Sequence, residues 1–262
     1  MTQHSLAIRG GRRCRIWLCA LLLCTAPCMA HDIRTAAPMG TEPKFQDADA
    51  PAHGIVGICI DILRAMERLD PRIKFSGDQT WLPLTRIYQE LASGVEDASC
   101  GFAHTADRDR NFDYIGPPLY TIDYHLMVRM DDTVSINSWD DVRKLGANGV
   151  VLANRGFSAT NVLEGLGGIT VDAQSNSPLL NLQKLIAGRG RFFMHRGPGI
   201  QRYLARAGVA DKVKILPTVM YSTQLYFVTS KHIDPQLKER LTRALIQLDK
   251  SGQLASLVRR WE

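Results

Sequence analysis

No stretch of this chain is apolar for long enough to cross a bilayer as a stable helix; the run from Ile16 to Ala26 stops short of that length. Low-complexity tracts and internal repeats are also missing, which excludes a fibrous or solenoid architecture. Gly-x-Ser-x-Gly, Walker-type and dinucleotide-binding glycine motifs are absent, and the seven histidines have no metal-like pairing. No cofactor or metal is implied, and the chain is expected to be a binding protein rather than an enzyme. It has neither an aromatic-basic RNA motif nor a DNA-reading helix, so no nucleic-acid partner is expected.

What is present begins with an export signal. Arg9, Arg12, Arg13 and Arg15 form a positive segment, Ile16 to Ala26 an apolar one, and Cys28-Met29-Ala30 offers small residues for cleavage. Leu precedes Cys24 and Pro precedes Cys28, so neither resembles a lipoprotein cleavage box. Removal of residues 1–30 after Ala30 and delivery to the periplasm are expected. The formal charge of +6 then loses four arginines with no acidic counterpart and becomes +2, so the basic character belongs largely to the signal. Four of the six cysteines leave with it. Cys59 and Cys100 remain, placed to form one disulfide in an oxidising compartment or to pack as two buried thiols.

In the rest of the chain strands alternate with helices, the pattern of α/β layers. Ile33 to Pro38 reads as a strand, Ile58 to Leu69 as a helix with Ile58, Ile62, Ala65, Met66 and Leu69 on its apolar face, and Leu84 to Ala92 as a helix closed by Gly94. Ser138 and Asp141 make a capping box. Gly156-Phe157-Ser158 turns into another helix whose start is suited to an anion. Arg191 to His195 is a strand, and two helices, Pro235 to Lys250 and Gln253 to Trp261, end the chain. Strands at Tyr124 to Met130 and Gln224 to Thr229 would join two lobes around a cleft: residues 31–125 with 223–262, and residues 126–222.

The most informative segment is Gly94 to Tyr120. A buried strand to Ala103 and His104 leads to Thr105, a good N-cap, and to a helix start holding Asp107 and Arg108. A cation in a first helical turn opposes the dipole and needs an anion nearby. Either a bound anion or a surface pair with Asp107, Asp109 or Asp113 would supply it. The site beyond the carboxyl end of a strand is where open α/β sheets bind ligands.

Several pieces, in order, resemble the family 3 extracytoplasmic solute-binding proteins of polar amino-acid ABC importers, with their two-lobed type II periplasmic-binding fold. They are Glu42-Pro43-Lys44-Phe45, Gly57 to Leu63, Leu91 to Ala98 leading into Thr105-Ala106-Asp107-Arg108, Phe112, Pro118-Leu119-Tyr120, and Ala244-Leu245 to Leu254. The resemblance covers about Ile33 to Trp261. It implies that Arg108 grips a ligand carboxylate bidentately, helped by the helix start at Phe157 and Ser158. Three positions depart from the family pattern. Arg196 stands where an acidic residue takes the α-ammonium of amino acids, Ala103 where a hydroxyl assists the carboxylate, and Glu42 where the first cleft loop has an aromatic.

Period-2 alternation puts Arg191, Phe193 and His195 on one strand face and Phe192, Met194 and Arg196 on the other. Trp81, His195 and Thr105 complete the candidate ligand-binding set. The expected ligand is a small carboxylate, amino-acid-like or a dicarboxylate, captured by a monomer for an ABC permease. A stand-alone sensor working through a membrane partner is the second reading. A cyclohexadienyl dehydratase-like enzyme using Glu42, His195 and Arg108 is the third.

Overall fold

A computed structural model describes residues 1–2, 31–197 and 199–261 of the chain. The expected signal core and cleavage site lie outside the described residues. The first half runs β1 (His31–Arg34), β2 (Ala37–Pro38), β3 (Gln46–Asp47), β4 (Ile55–Val56), α1 (Ile58–Leu69), β5 (Ile73–Ser76), β6 (Trp81–Leu82), α2 (Leu84–Ser93), β7 (Ala98–Ala103) and β8 (Phe112–Arg129). The second half runs α3 (Trp139–Lys144), β9 (Val151–Leu152), α4 (Ser158–Gly165), β10 (Val171–Asp172), α5 (Pro178–Ile186), β11 (Phe192–Arg196), α6 (Ile200–Arg206), β12 (Val213–Ile215), β13 (Tyr221–Ser230), α7 (Pro235–Lys250) and α8 (Gln253–Arg259).

The fold is α/β and two-lobed, hung on one sheet of seven strands in the order β10-β9-β11-β8-β13-β7, with β12 also on β8. The antiparallel pair β8 and β13 carries both lobes. At one end it packs with α1, α7 and α8 in a core that includes Ile62, Phe227, Leu241 and Leu245; at the other, Leu126, Val151, Phe192 and Met194 form a second core. The lobe boundaries expected at 125/126 and 222/223 fall inside these two strands.

β8 begins twelve residues before the strand read from sequence, because Pro117 and Pro118 look like an exit. Both lack an amide hydrogen to donate to a ladder. The ladder accommodates them by bulging: Leu225 pairs with Tyr120 and Phe227 with Ile115, leaving Gly116 to Leu119 opposite Tyr226 alone. The helix expected after Thr105 is also corrected. Only a 3-10 turn, Arg108–Arg110, forms before β8 takes the chain at Phe112. The Arg108 amide bonds back to the Thr105 carbonyl at 3.0 Å, and the Asn111 amide to the Arg108 carbonyl at 2.9 Å, closing turns that do not propagate.

Helix α1 starts at Gly57 without a side-chain cap. Its orphan amides are satisfied by the preceding loop: Ile58 donates to the Pro43 carbonyl and Cys59 to that of Lys44, each at 3.1 Å. A Cβ on Gly57, whose φ is +140°, would lie 2.3 Å from the Lys44 carbonyl oxygen, so the close approach requires glycine. Cys59, on the first turn of α1, is joined to Cys100 in β7, 41 positions later, by a disulfide. Strand β7, helix α1 and the first loop are thereby held together.

Removing that crosslink, by Cys59→Ala with Cys100→Ala or by reduction, is expected to lose about 2–5 kcal/mol of stability. Urea unfolding with and without reductant measures it, and coincident midpoints would refute a structural bridge.

Candidate functional site

Between the lobes lies a narrow cavity of about 30 Å³ bordered by Lys44, Tyr88, Ala103, Arg108, Ser158 and Arg196, among others. It admits water and not a solute of amino-acid size, so loading requires the lobes to part. Of the residues singled out from sequence, Arg108, Ala103, Phe157, Ser158 and Arg196 meet there.

Arg108 is buried at 8% exposure. One guanidinium nitrogen, Nη1, donates to the Ala103 carbonyl at 2.8 Å, and Nη2 donates to the Tyr88 hydroxyl. The guanidinium carbon sits 4.6 Å from the centroid of the Tyr88 ring and 5.7 Å from that of Phe102. These faces attract the cation and fix its plane, while three of its five N–H donors go unused by those two bonds. The surface-pair alternative fails, since its neighbours pair elsewhere: Asp107 with Arg110, Asp109 with His104, and Asp113 with Lys238. Tyr88 is placed by α2, where its ring packs edge-on against Phe102 at 5.2 Å. Burial drives its hydroxyl well above the ordinary tyrosine range, so it stays protonated.

Arg196, at the end of β11, reaches across the cleft. Nε donates to the Glu42 carbonyl at 2.6 Å and Nη2 to the Gly40 carbonyl at 2.8 Å, and the Glu42 carboxylate stands 3.9 Å away. The side chain expected to meet solute therefore also ties one lobe to the other. Further contacts cross with it: Arg206 bonds to the Asp49 carboxylate and the Asp47 carbonyl, and the Tyr88 hydroxyl donates to the Gly156 carbonyl at 3.4 Å.

Four candidates lie off this cavity. Glu42 borders an adjoining cavity of about 260 Å³ with Met39, Arg155, Phe157 and Tyr203. Trp81 packs on the core of its own lobe and donates its indole N–H to Asp47 at 3.1 Å. Thr105 accepts the Arg108 amide in the turn, at 3.3 Å. His195 faces away from Arg196, as the strand alternation requires, and stacks on Tyr203 with ring centroids 6.0 Å apart. Its Nδ1 lies 3.0 Å from the Arg196 carbonyl, which can only accept, so Nδ1 carries the proton and the buried Nε2 has no partner. Glu42, His195 and Arg108 thus do not converge on one cavity as an acid-base set would.

Sequence reading missed Lys44, Tyr88 and Tyr124 as cavity residues. Lys44 is buried at 6% exposure and donates Nζ to the Gly101 carbonyl at 2.6 Å. Its signal was a lysine between Pro43 and Phe45 in the first cleft loop. Tyr88 carried none, since its spacing on α2 matches ordinary core.

Burial pushes the His195 imidazole down to about 3, with repulsion from Arg196 adding to it. A histidine held neutral in the fold but titrating near 6.5 when unfolded stabilises fully above that value. The contribution is lost as pH falls from 6.5 towards 3, at up to about 1.4 kcal/mol per pH unit. His195→Gln should flatten the slope of unfolding free energy across that window, and an unchanged slope would overturn the assignment. Arg196→Ala should open the lobes of the solute-free protein and raise its radius of gyration in small-angle scattering. A solute-free radius equal to that of the parent would argue against the cross-cleft tie.

No curated protein matches the sequence. Three solved structures illustrate the fold it shares. An amino acid ABC transporter substrate-binding protein from Streptococcus pneumoniae, bound to L-arginine, is 19% identical with a TM-score of 0.70, over 87% of this chain and 93% of that one. A histidine kinase sensor domain with similarity to periplasmic binding proteins is 18% identical with a TM-score of 0.71, over 88% and 96%. An ancestral amino acid-binding protein, precursor of cyclohexadienyl dehydratase, is 21% identical with a TM-score of 0.69, over 88% and 95%. These likenesses establish the two-lobed type II periplasmic-binding fold. Residues 36–262 match the model for bacterial extracellular solute-binding proteins, family 3, and the chain belongs to that family.

Proposed function

We propose that this protein is exported to the periplasm, where its cleft captures a small carboxylate-bearing polar solute for an ABC importer. The observation that carries this reading is Arg108: a buried guanidinium, fixed between aromatic rings and a backbone carbonyl, with donors beyond those two bonds and its acidic neighbours paired elsewhere. A planar fork of N–H groups suits the two oxygens of a carboxylate. The start of α4 at Ser158, on the opposite lobe, supports the same choice through its helix dipole. Closure of the lobes would then trap the solute between Arg108 and α4. Delivery to a permease rests on family membership; the fold alone also serves sensor domains, and a gene for a histidine kinase beside this one would favour signalling over import.

Native mass spectrometry of the protein purified from its own envelope should find a carboxylate retained in a fraction of molecules. Calorimetric titration with a panel of monocarboxylates, dicarboxylates and amino acids then measures affinity. Arg108→Gln should weaken the binder by about 2–5 kcal/mol while circular dichroism stays native. Absence of any carboxylate binding, or a binder indifferent to that change, would refute the reading.

A further inference from the structure

The charges around the cleft do not balance. Lys44, Arg108 and Arg196 all border the narrow cavity, at 6%, 8% and 3% exposure. Glu42 is the carboxylate near them, 3.9 Å from Arg196. Among the described residues, one acid near three buried basic groups, two of them guanidiniums, leaves an excess of positive charge that an anionic solute would offset, because desolvated charge requires a partner. We propose that the solute is a dianion without an ammonium group, with one acidic group held at Arg108 and the second at Lys44 beside Arg196. This inference rests on the carboxylate-binding function proposed above and narrows it.

Lys44 is built into the site rather than stranded there. The backbone on either side of its side chain is fixed by α1, whose first amides bond to the Pro43 and Lys44 carbonyls. Its stem passes over Gly101, where φ is +82° and any Cβ would come within 2.5 Å of the Lys44 Cδ. The glycine therefore makes room for the lysine, and the disulfide one residue earlier in β7 holds that room in place. Of its three donors one is used, on the Gly101 carbonyl.

The groups that border the cavity with Lys44 are Arg108 following β7, Arg196 from β11, Tyr88 from α2 and Tyr124 from β8, while Glu42, two residues earlier in the same loop, stands against Arg196. Burial first, then Arg196 and Arg108, hold its amine well below the ordinary lysine range. The two tyrosines are kept protonated by burial and add no negative charge. An entering dianion offsets the repulsion that Arg196 and Arg108 exert on this amine. A zwitterionic amino acid would instead bring its ammonium towards Arg196 and Lys44, with Glu42 alone to receive it.

Calorimetry with matched pairs tests this: succinate against L-aspartate, glutarate against L-glutamate, and L-glutamine as a neutral control. At least one dianion should bind about tenfold or more tightly than its amino counterpart, a difference of about 1.4 kcal/mol. Lys44→Met should abolish the preference and Lys44→Arg should keep it, thermal unfolding verifying that both variants fold. If L-glutamine, L-aspartate or L-glutamate binds best, the dianion inference is overturned while the carboxylate-binding function stands. If none of the five ligands binds, both fall. A dianion preference that survives Lys44→Met also overturns the assignment of the second acidic group.

Discussion

Three basic side chains buried at the meeting of two lobes set the terms for everything else in this molecule. Each must be kept from water by packing and kept from repelling the others by geometry. The fold meets the first demand with aromatic surface: Tyr88 and Phe102 around Arg108, and Phe157 at 5.7 Å from the Arg196 guanidinium carbon. It meets the second with backbone carbonyls. Gly40 and Glu42 take Arg196, Gly101 takes Lys44, and Ala103 takes Arg108. A carbonyl dipole offsets part of the cost of burying a charge without neutralising it, so the positive potential survives for a ligand to use.

Those carbonyls are available because of where the chain is pinned. Gly101 and Ala103 lie in β7, held at one edge by β13 and at Cys100 by the bridge to α1. The first loop is held by the start of the same helix. A helix without a side-chain cap looks like a weakness in isolation, but here its orphan amides fix the loop that carries Glu42, Pro43 and Lys44. The local deficit at Gly57 and the rigidity of the cleft loop are one fact.

Much of this was legible from sequence for a simple reason: periodicity reports burial. The helix bounds at Ile58 and Leu69, the two faces of β11, and the capping box at Ser138 follow from side-chain spacing alone. Arg108, Arg196 and the helix start at Phe157 and Ser158 were likewise traceable to the ends of such elements, while Ala103 entered through the family resemblance. The misreadings share another cause. Thr105 and Asp107 favour a helix start locally, yet the pairing of Phe112 with Ser230 begins a strand almost at once. Two prolines suggest a break, yet the opposing strand absorbs them as a bulge. In both cases a non-local partner decided, and no local rule includes it. Lys44 was missed because a lysine in a loop is usually solvated, whereas here its stem lies over Gly101 and its Nζ is taken by the Gly101 carbonyl.

Arg196 connects the electrostatics to motion. A residue that bonds across the cleft stabilises closure through its own contacts, here with the Glu42 and Gly40 carbonyls. The solute's contribution is then differential: it binds closed over open to the extent that it relieves repulsion among Lys44, Arg108 and Arg196. Parting the lobes draws Arg196 away from Lys44 and Arg108 and lowers that repulsion, at the expense of the Arg196 bonds to Gly40 and Glu42. Directional hydrogen bonds therefore favour closure while like charges oppose it. A solute that cancels the charge without displacing the carbonyls leaves only the closing term. By this argument, affinity depends on the solute's negative charge as well as on its fit to the cavity, because charge decides how far the equilibrium between open and closed lobes can move.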